Sequence, residues 1–189
     1  MKHKNEKGFT LTEVMVSATI LGVGVMGMAA MQGVSITKNV DANDMLLATN
    51  AAAEMIERIE NSRQYSWVYN TLNTGLANSP VGAPVPGNCA ALPVLIPAPP
   101  LDAKQLATLP VGLQANIARS VGGDCAQWGA RLAATGLQNV QGVVNINSLP
   151  PVGARTRLAA VQVNWTDRAQ GNRPRSVVMQ SVIVSENGG

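Results

Sequence analysis

Acid–base, nucleophilic or metal chemistry needs histidines, paired carboxylates or thiols at workable spacing, and this chain offers few. Its one histidine, His3, lies at the extreme N-terminus, which leaves the body without the usual general base and the commonest metal ligand. Asp41 with Asp44, and Glu54 with Glu57, are paired carboxylates by spacing, yet each pair fits the polar face of a helical pattern. Gly22, Gly24 and Gly27 match a dinucleotide-binding fingerprint, which works only with a strand before it and a helix starting at it. Here the glycines lie inside an apolar run, where small residues such as Ala18, Gly22, Ala29 and Gly33 permit close helix approach. Catalysis, a metal and a cofactor are therefore not expected.

Lys7-Gly8-Phe9-Thr10-Leu11-Thr12-Glu13-Val14 is the one stretch whose order of residue types carries a chemical meaning. After it, Val14 to Ile36 holds no formal charge, and at about 1.5 Å per residue a helix of that length crosses the roughly 30 Å hydrocarbon core of a bilayer. A secretory signal places its cleavage site after the apolar region, whereas the charged leader (Lys2, His3, Lys4 and Lys7 against Glu6) and Gly8 come before it. The apolar helix is thus expected to stay with the mature protein. The lysines upstream orient the N-terminus toward the cytoplasm by the positive-inside rule, with residues 37 onward outside. Glu13 sits at the edge of the span, where an unpaired carboxylate costs about 2.5–3.5 kcal/mol. Cleavage after Gly8 would free the amine of Phe9, one helical turn from Glu13, and give that carboxylate a partner.

The Lys7–Val14 stretch resembles the class III signal of type IV pilins and type II secretion pseudopilins. The resemblance implies that prepilin peptidase cuts after Gly8 and methylates the amine of Phe9, and that Glu13 is the assembly contact. Thr12 departs from the pattern, which has a large aliphatic residue before the glutamate; its hydroxyl can return to a carbonyl three or four residues earlier. Residues 9–63 contain no proline, so any flexibility in this helix rests on glycine.

Beyond Lys38 the pattern becomes one-sided. Met45, Ala48, Ala52, Met55, Ile56 and Ile59 recur at helical spacing, and Asn50, Glu54, Glu57, Arg58 and Asn61 fill the other face. One helix from Phe9 to near Arg63 is expected. The remainder is enough for one small domain. Most of the prolines fall between Pro80 and Pro110, an extended connection. Within it, Asp102 with Gln105 reads as the start of a short helix stopped by Pro110, and Asp124 with Gln127 as the start of another carrying Trp128 and Leu132 and ended by Gly136. Strand patterns cover Gly142–Asn147, the alternating Val161, Val163 and Trp165, and Ser176–Val184, with a polar turn at 167–174 making the last two a hairpin. The fold class is α+β, type IV pilin-like: a long N-terminal helix, half membrane and half amphipathic, packed on a C-terminal antiparallel sheet. The boundaries expected are a cleaved leader at 1–8, the membrane half of the helix at 9–36, its amphipathic half at 37–64 and a periplasmic head at 65–189.

Cys89 and Cys125 both fall on the non-cytoplasmic side, where disulfides persist, and two cysteines in a small head most simply pair. Closing that loop stabilises by about 4 kcal/mol at most in the chain-entropy model. Two free thiols or a redox pair are the alternatives, and no CxxC spacing supports the latter.

The glycine-rich span ending Gly24–Gln32, the stretch around Trp128 and Val163–Arg168 together look like PilV-type minor pilins. This implies a non-enzymatic filament subunit stored in the inner membrane as a single-pass protein and moved to an extracellular pilus by a cytoplasmic ATPase and a membrane platform. Its partners would be prepilin peptidase, other minor pilins, the major pilin and, often, a large tip adhesin, in a complex that primes the filament and sits at its tip. The alternatives are a minor pseudopilin of type II secretion and a membrane-anchored periplasmic adhesive or ligand-binding domain. Nucleic acid is not an expected partner: the net charge of +3 shrinks to near neutrality once Lys2, Lys4, Lys7 and Glu6 leave with the leader. Arg155, Arg157, Arg168, Arg173 and Arg175 as a basic rim, and Arg63, Tyr65, Trp67 and Tyr69 as a cation–aromatic run, read more simply as solvated loops and packed aromatics.

A peptidase reading Gly8 needs close backbone approach that a side chain obstructs. Gly8→Ala is expected to slow leader removal partially and Gly8→Leu to block it, seen as retained precursor by mass spectrometry of the membrane fraction. Normal processing of Gly8→Leu would contradict cleavage at this glycine.

Overall fold

The computed structural model describes residues 9–75, 89, 109–149, 156–167 and 173–184. The chain divides into two compact units, Met1–Ala42 and Asn43–Gly189. Helix α1 (Leu11–Asn61) runs through both, followed by a 3₁₀ segment (Arg63–Tyr69), helix α2 (Val111–Ala134) and strands β1 (Gln138–Ser148), β2 (Thr156–Thr166) and β3 (Pro174–Val184). This is the expected α+β arrangement, a long N-terminal helix with a C-terminal antiparallel sheet of order β1-β2-β3.

In the first unit residues 14–36 form helix that carries no formal charge on any side and is exposed throughout. Its hydroxyls turn inward onto the backbone: Ser17 donates to the Glu13 carbonyl at 2.7 Å and Thr19 to that of Met15 at 2.8 Å. These bonds pair the hydroxyl hydrogens of Ser17 and Thr19 within the helix, as an apolar medium requires.

In the second unit, α1 presents Ala48, Ala52, Met55, Ile56 and Ile59 to the core. Met45, expected on that stripe, is 58 % exposed, because it lies at the start of this unit, ahead of the residues that α2 and the sheet cover. Period-2 alternation sets the sheet: Ala159, Val161, Val163 and Trp165 are buried and their even-numbered neighbours are not. β2 pairs antiparallel with β3 without a break from Thr156↔Val184 to Thr166↔Pro174. β1 pairs antiparallel with β2 after a bulge between Gln138 and Gln141, where Asn139 takes φ 50°. The turn residues 168–172 and the helix expected from Asp102 lie outside the described residues.

One expectation for α2 is corrected: the helix starts at Val111, directly after Pro110, and not at Asp124. Asp124 falls in mid-helix, where it makes a tertiary ion pair. Gly136, at φ 73°, follows the last turn, as expected of a terminator. The 3₁₀ segment was not anticipated; it turns the chain after α1 and buries Ser66, Trp67, Val68 and Tyr69.

After Thr71, which takes φ 64°, residues 72–74 run along the outer edge of β1. The Val144 N–H donates to the Leu72 carbonyl at 2.9 Å, the Thr74 N–H to the Gly142 carbonyl at 3.0 Å, and the Gly142 N–H to Thr74 Oγ1 at 2.9 Å. The Ile146 N–H is taken by Asn70 Oδ1 at 2.8 Å.

Trp128 and Gly142 fix how α2 sits on this sheet. A Cβ on Gly142 would lie 2.3 Å from Trp128 Cη2 and 2.8 Å from Leu132 Cδ1, so the indole rests directly on strand backbone. Gly142→Ala is expected to destabilise the head by about 1–3 kcal/mol through overpacking, read as a lower urea midpoint by tryptophan fluorescence. An unchanged midpoint would show that the indole is free to move aside.

Candidate functional site

The N-terminal end of α1 carries the residues singled out for processing and assembly. Gly8 lies outside the described residues. Phe9 is 84 % exposed and precedes the helix, and Thr10 begins its hydrogen bonding by accepting from the Glu13 and Val14 N–H groups at 3.1 and 3.3 Å. Glu13 stands in the first turn, where the helix dipole favours a negative charge. Thr12 does not return to a carbonyl: its hydroxyl meets that of Thr10 at 3.1 Å, because the carbonyls three and four residues earlier precede the helix. The result is a small polar collar of two hydroxyls and one carboxylate at the head of an uncharged apolar helix. Gly22, Gly24, Gly27 and Gly33 lie within that helix, each with open space where a Cβ would point. With no strand before them, they do not form a phosphate-binding turn.

A scan of protein-family models matches residues 3–29 to the prokaryotic N-terminal methylation motif. The match supports a likeness to type IV pilins that rests on this N-terminal segment. No curated protein and no solved structure matches it. The motif characterises structural subunits and implies processing by prepilin peptidase and assembly with membrane machinery. Among the described residues, α1 is the one helix long and apolar enough to cross a membrane, which fits a single-pass, membrane-anchored pilin.

In the second unit a seam of charged side chains runs between α1 and α2. Arg58 donates to Glu54 Oε1 at 2.8 Å and to Asp124 Oδ1 at 2.8 Å, and Gln127 Oε1 accepts from it at 3.1 Å. Arg131 donates to the other oxygen of Glu54 at 2.8 Å. The Tyr69 hydroxyl donates to Asp124 Oδ2 at 2.6 Å and lies 3.2 Å from Ser62 Oγ. Hydrogen bonding to Glu54, with that to Asp124 and the charges of both, outweighs burial and raises the Arg58 pKa above its usual value. Glu54 and Arg58 were legible as residues of the polar face of α1; their role as the α1–α2 clasp was not. Reading Asp124, Gln127 and Arg131 as one helical face at i, i+3 and i+7 supplies the missing signal.

Cys89 and Cys125 are joined in a disulfide, with Cα atoms 5.3 Å apart, and Cys125 is fully buried beside the core. The cation–aromatic run does not form a stacking platform: Trp67 and Tyr69 are buried. The basic rim does not assemble either, since Arg157 faces inward and is buried, Arg175 pairs with Asp167 at 3.2 Å, and Arg155 and Arg168 lie outside the described residues. Among the described residues, no group of three His, Cys, Asp or Glu side chains could hold a metal.

Burial, then the hydrogen bond to Asp124, push the Tyr69 hydroxyl far above its ordinary 10.0. The folded state therefore holds this proton more tightly, and the stabilisation is whole below about pH 10 and lost as pH rises above it. Urea stability of the protein in detergent should fall above about pH 10, and Tyr69→Phe should lower stability at neutral pH by about 1–2 kcal/mol while flattening the alkaline decline. The same alkaline slope in Tyr69→Phe would contradict this role.

Proposed function

We propose that this chain is a minor pilin of a type IV pilus, a non-enzymatic subunit of the PilV type that primes assembly and enters the filament at or near its tip. The observation that carries the reading is the methylation motif at the head of an exposed apolar helix, continuous in sequence with a folded, disulfide-bonded head. Before assembly the N-terminus is cytoplasmic and the head periplasmic, by the positive-inside rule. Prepilin peptidase cuts after Gly8 and methylates Phe9, and the inner-membrane platform extracts the subunit to join other minor pilins, the major pilin and a tip adhesin.

Lipid tails attract apolar helices about as well as neighbouring helices do, so register in the helix bundle must come from packing and from the few polar groups present. Glu13 supplies the charge at that end of α1. Paired with a Phe9 amine of its own or an adjacent subunit, it fixes how far the helix enters the bundle. The open faces at Gly22, Gly24, Gly27 and Gly33 let a neighbouring helix approach closely.

Glu13→Gln keeps the shape and removes the charge. It is expected to leave leader cleavage and membrane insertion intact while lowering the amount of this protein in sheared filaments by about tenfold, the equivalent of about 1.4 kcal/mol. Quantitative immunoblotting of filament and membrane fractions at matched expression reads this out. Unchanged incorporation with unchanged filament number would show that the carboxylate is not the assembly contact.

A further inference from the structure

The Cys89–Cys125 bond lies where thiol–disulfide exchange is blocked at both of its sulfurs. Exchange needs a thiolate to attack one sulfur while the other leaves as a thiolate, through a mixed disulfide. There are two such routes, one through each cysteine, and the packing of the head closes both.

Cys125 sits within α2 on the face that carries Val121 before it and Trp128 and Leu132 after it, all buried. Its own side chain is fully buried in that core, so a reagent in solvent does not touch its sulfur. Cys89 is partly buried against the same core, and its Sγ lies 3.5 Å from the Asn73 carbonyl oxygen, whose partial negative charge repels an arriving thiolate. Attack there would also expel the Cys125 sulfur as a thiolate among apolar side chains, and an unsolvated, unpaired charge is costly. Arg58, the guanidinium bonded to the adjacent Asp124, is also held by Glu54 and Gln127. Cys125 is also far from the first turn of α2, where a helix favours a thiolate.

Making the bond retraces the same path and meets the same two obstacles. The two thiols give up two protons and two electrons to the disulfide of a donor molecule. The donor first forms a mixed disulfide with one cysteine; the second cysteine then displaces it, and it leaves as a dithiol. We infer that this bond is exchanged only while α2 is off the core: a disulfide donor installs it before the head packs, and packing then puts it out of reach of reductants and other thiols. Redox sensitivity is thereby confined to the folding of the head. The inference rests on the burial of Cys125 and is independent of the pilin reading.

The test follows reduction of the full-length protein in detergent by dithiothreitol. Alkylation and mass spectrometry count the free thiols, and tryptophan fluorescence reports the fold. In buffer the bond is expected to be reduced at least about a thousandfold more slowly than in denaturing urea, since the open fraction of a stable domain is about 10⁻³ or less. Sub-denaturing urea should accelerate reduction, the logarithm of the rate rising linearly with urea as opening is favoured. Tyr69→Phe and Gly142→Ala, which loosen α2 from the 3₁₀ segment and from β1, should speed reduction in step with their measured loss of stability. Arg119→Ala, on the exposed side of α2, should leave the rate unchanged. Reduction in buffer at a rate indifferent to sub-denaturing urea would overturn the inference. So would a reduced chain of native fluorescence that oxidised glutathione re-oxidises as fast as the unfolded chain, because either result shows exchange with the head closed.

Discussion

One buried side chain, Trp128, holds the three layers of the head in register. Its Nε1 donates to the Ala51 carbonyl of α1 at 2.8 Å, its ring lies on the bare backbone of Gly142 in β1, and it belongs to α2. A buried indole must find an acceptor for its N–H, and a backbone carbonyl inside a helix is a fixed one. With α2 pinned there, Asp124 and Arg131 come level with Arg58 and Glu54, and Cys125 comes level with Cys89. The clasp of charges and the disulfide thus follow from where the ring sits, and each stiffens the same α1–α2 seam.

The two units solve opposite solvation problems. In the head, the Glu54 and Asp124 carboxylates share Arg58, and the tyrosine hydroxyl adds to the same network. Among the described residues of the first unit there is no core: its apolar side chains are exposed from Phe9 onward, and the hydroxyls of Ser17, Thr19 and Thr37 bond carbonyls of the same helix. A segment with that surface is stable only where lipid or other apolar helices surround it. The prokaryotic N-terminal methylation motif is matched over the start of this helix.

The strands were legible because their alternation is local: each odd residue of β2 is buried and each even one is not, and no tertiary knowledge is needed to see period two. The apolar stripe of α1 was legible for the same reason from Ala48 to Ile59. What could not be read were features that depend on where other elements end. Met45 has the right spacing and the wrong height. Pro110 has the same intrinsic geometry whether it opens a helix or closes one, and the residues after it, Val111 and Gly112, carry no capping signal. Asp124 has the side chain of a cap but spends it on Arg58 and Tyr69. At the processing site, Thr12 pairs with Thr10 because the helix has not yet supplied a carbonyl, a boundary effect invisible to spacing. That β3 is the edge strand among the described residues emerged only from the pairing order, since segment 70–74 closes β1 by a turn through Thr71 that no propensity favours.

The central claim is that this chain is processed and used as a pilin. The most direct measurement is the intact N-terminal peptide of the native protein recovered from sheared extracellular filaments, read by tandem mass spectrometry. The account predicts a chain that begins at Phe9 with a methyl group on its amine. A chain that retains residues 1–8, or a protein absent from the filaments and found only in the membrane, would contradict it.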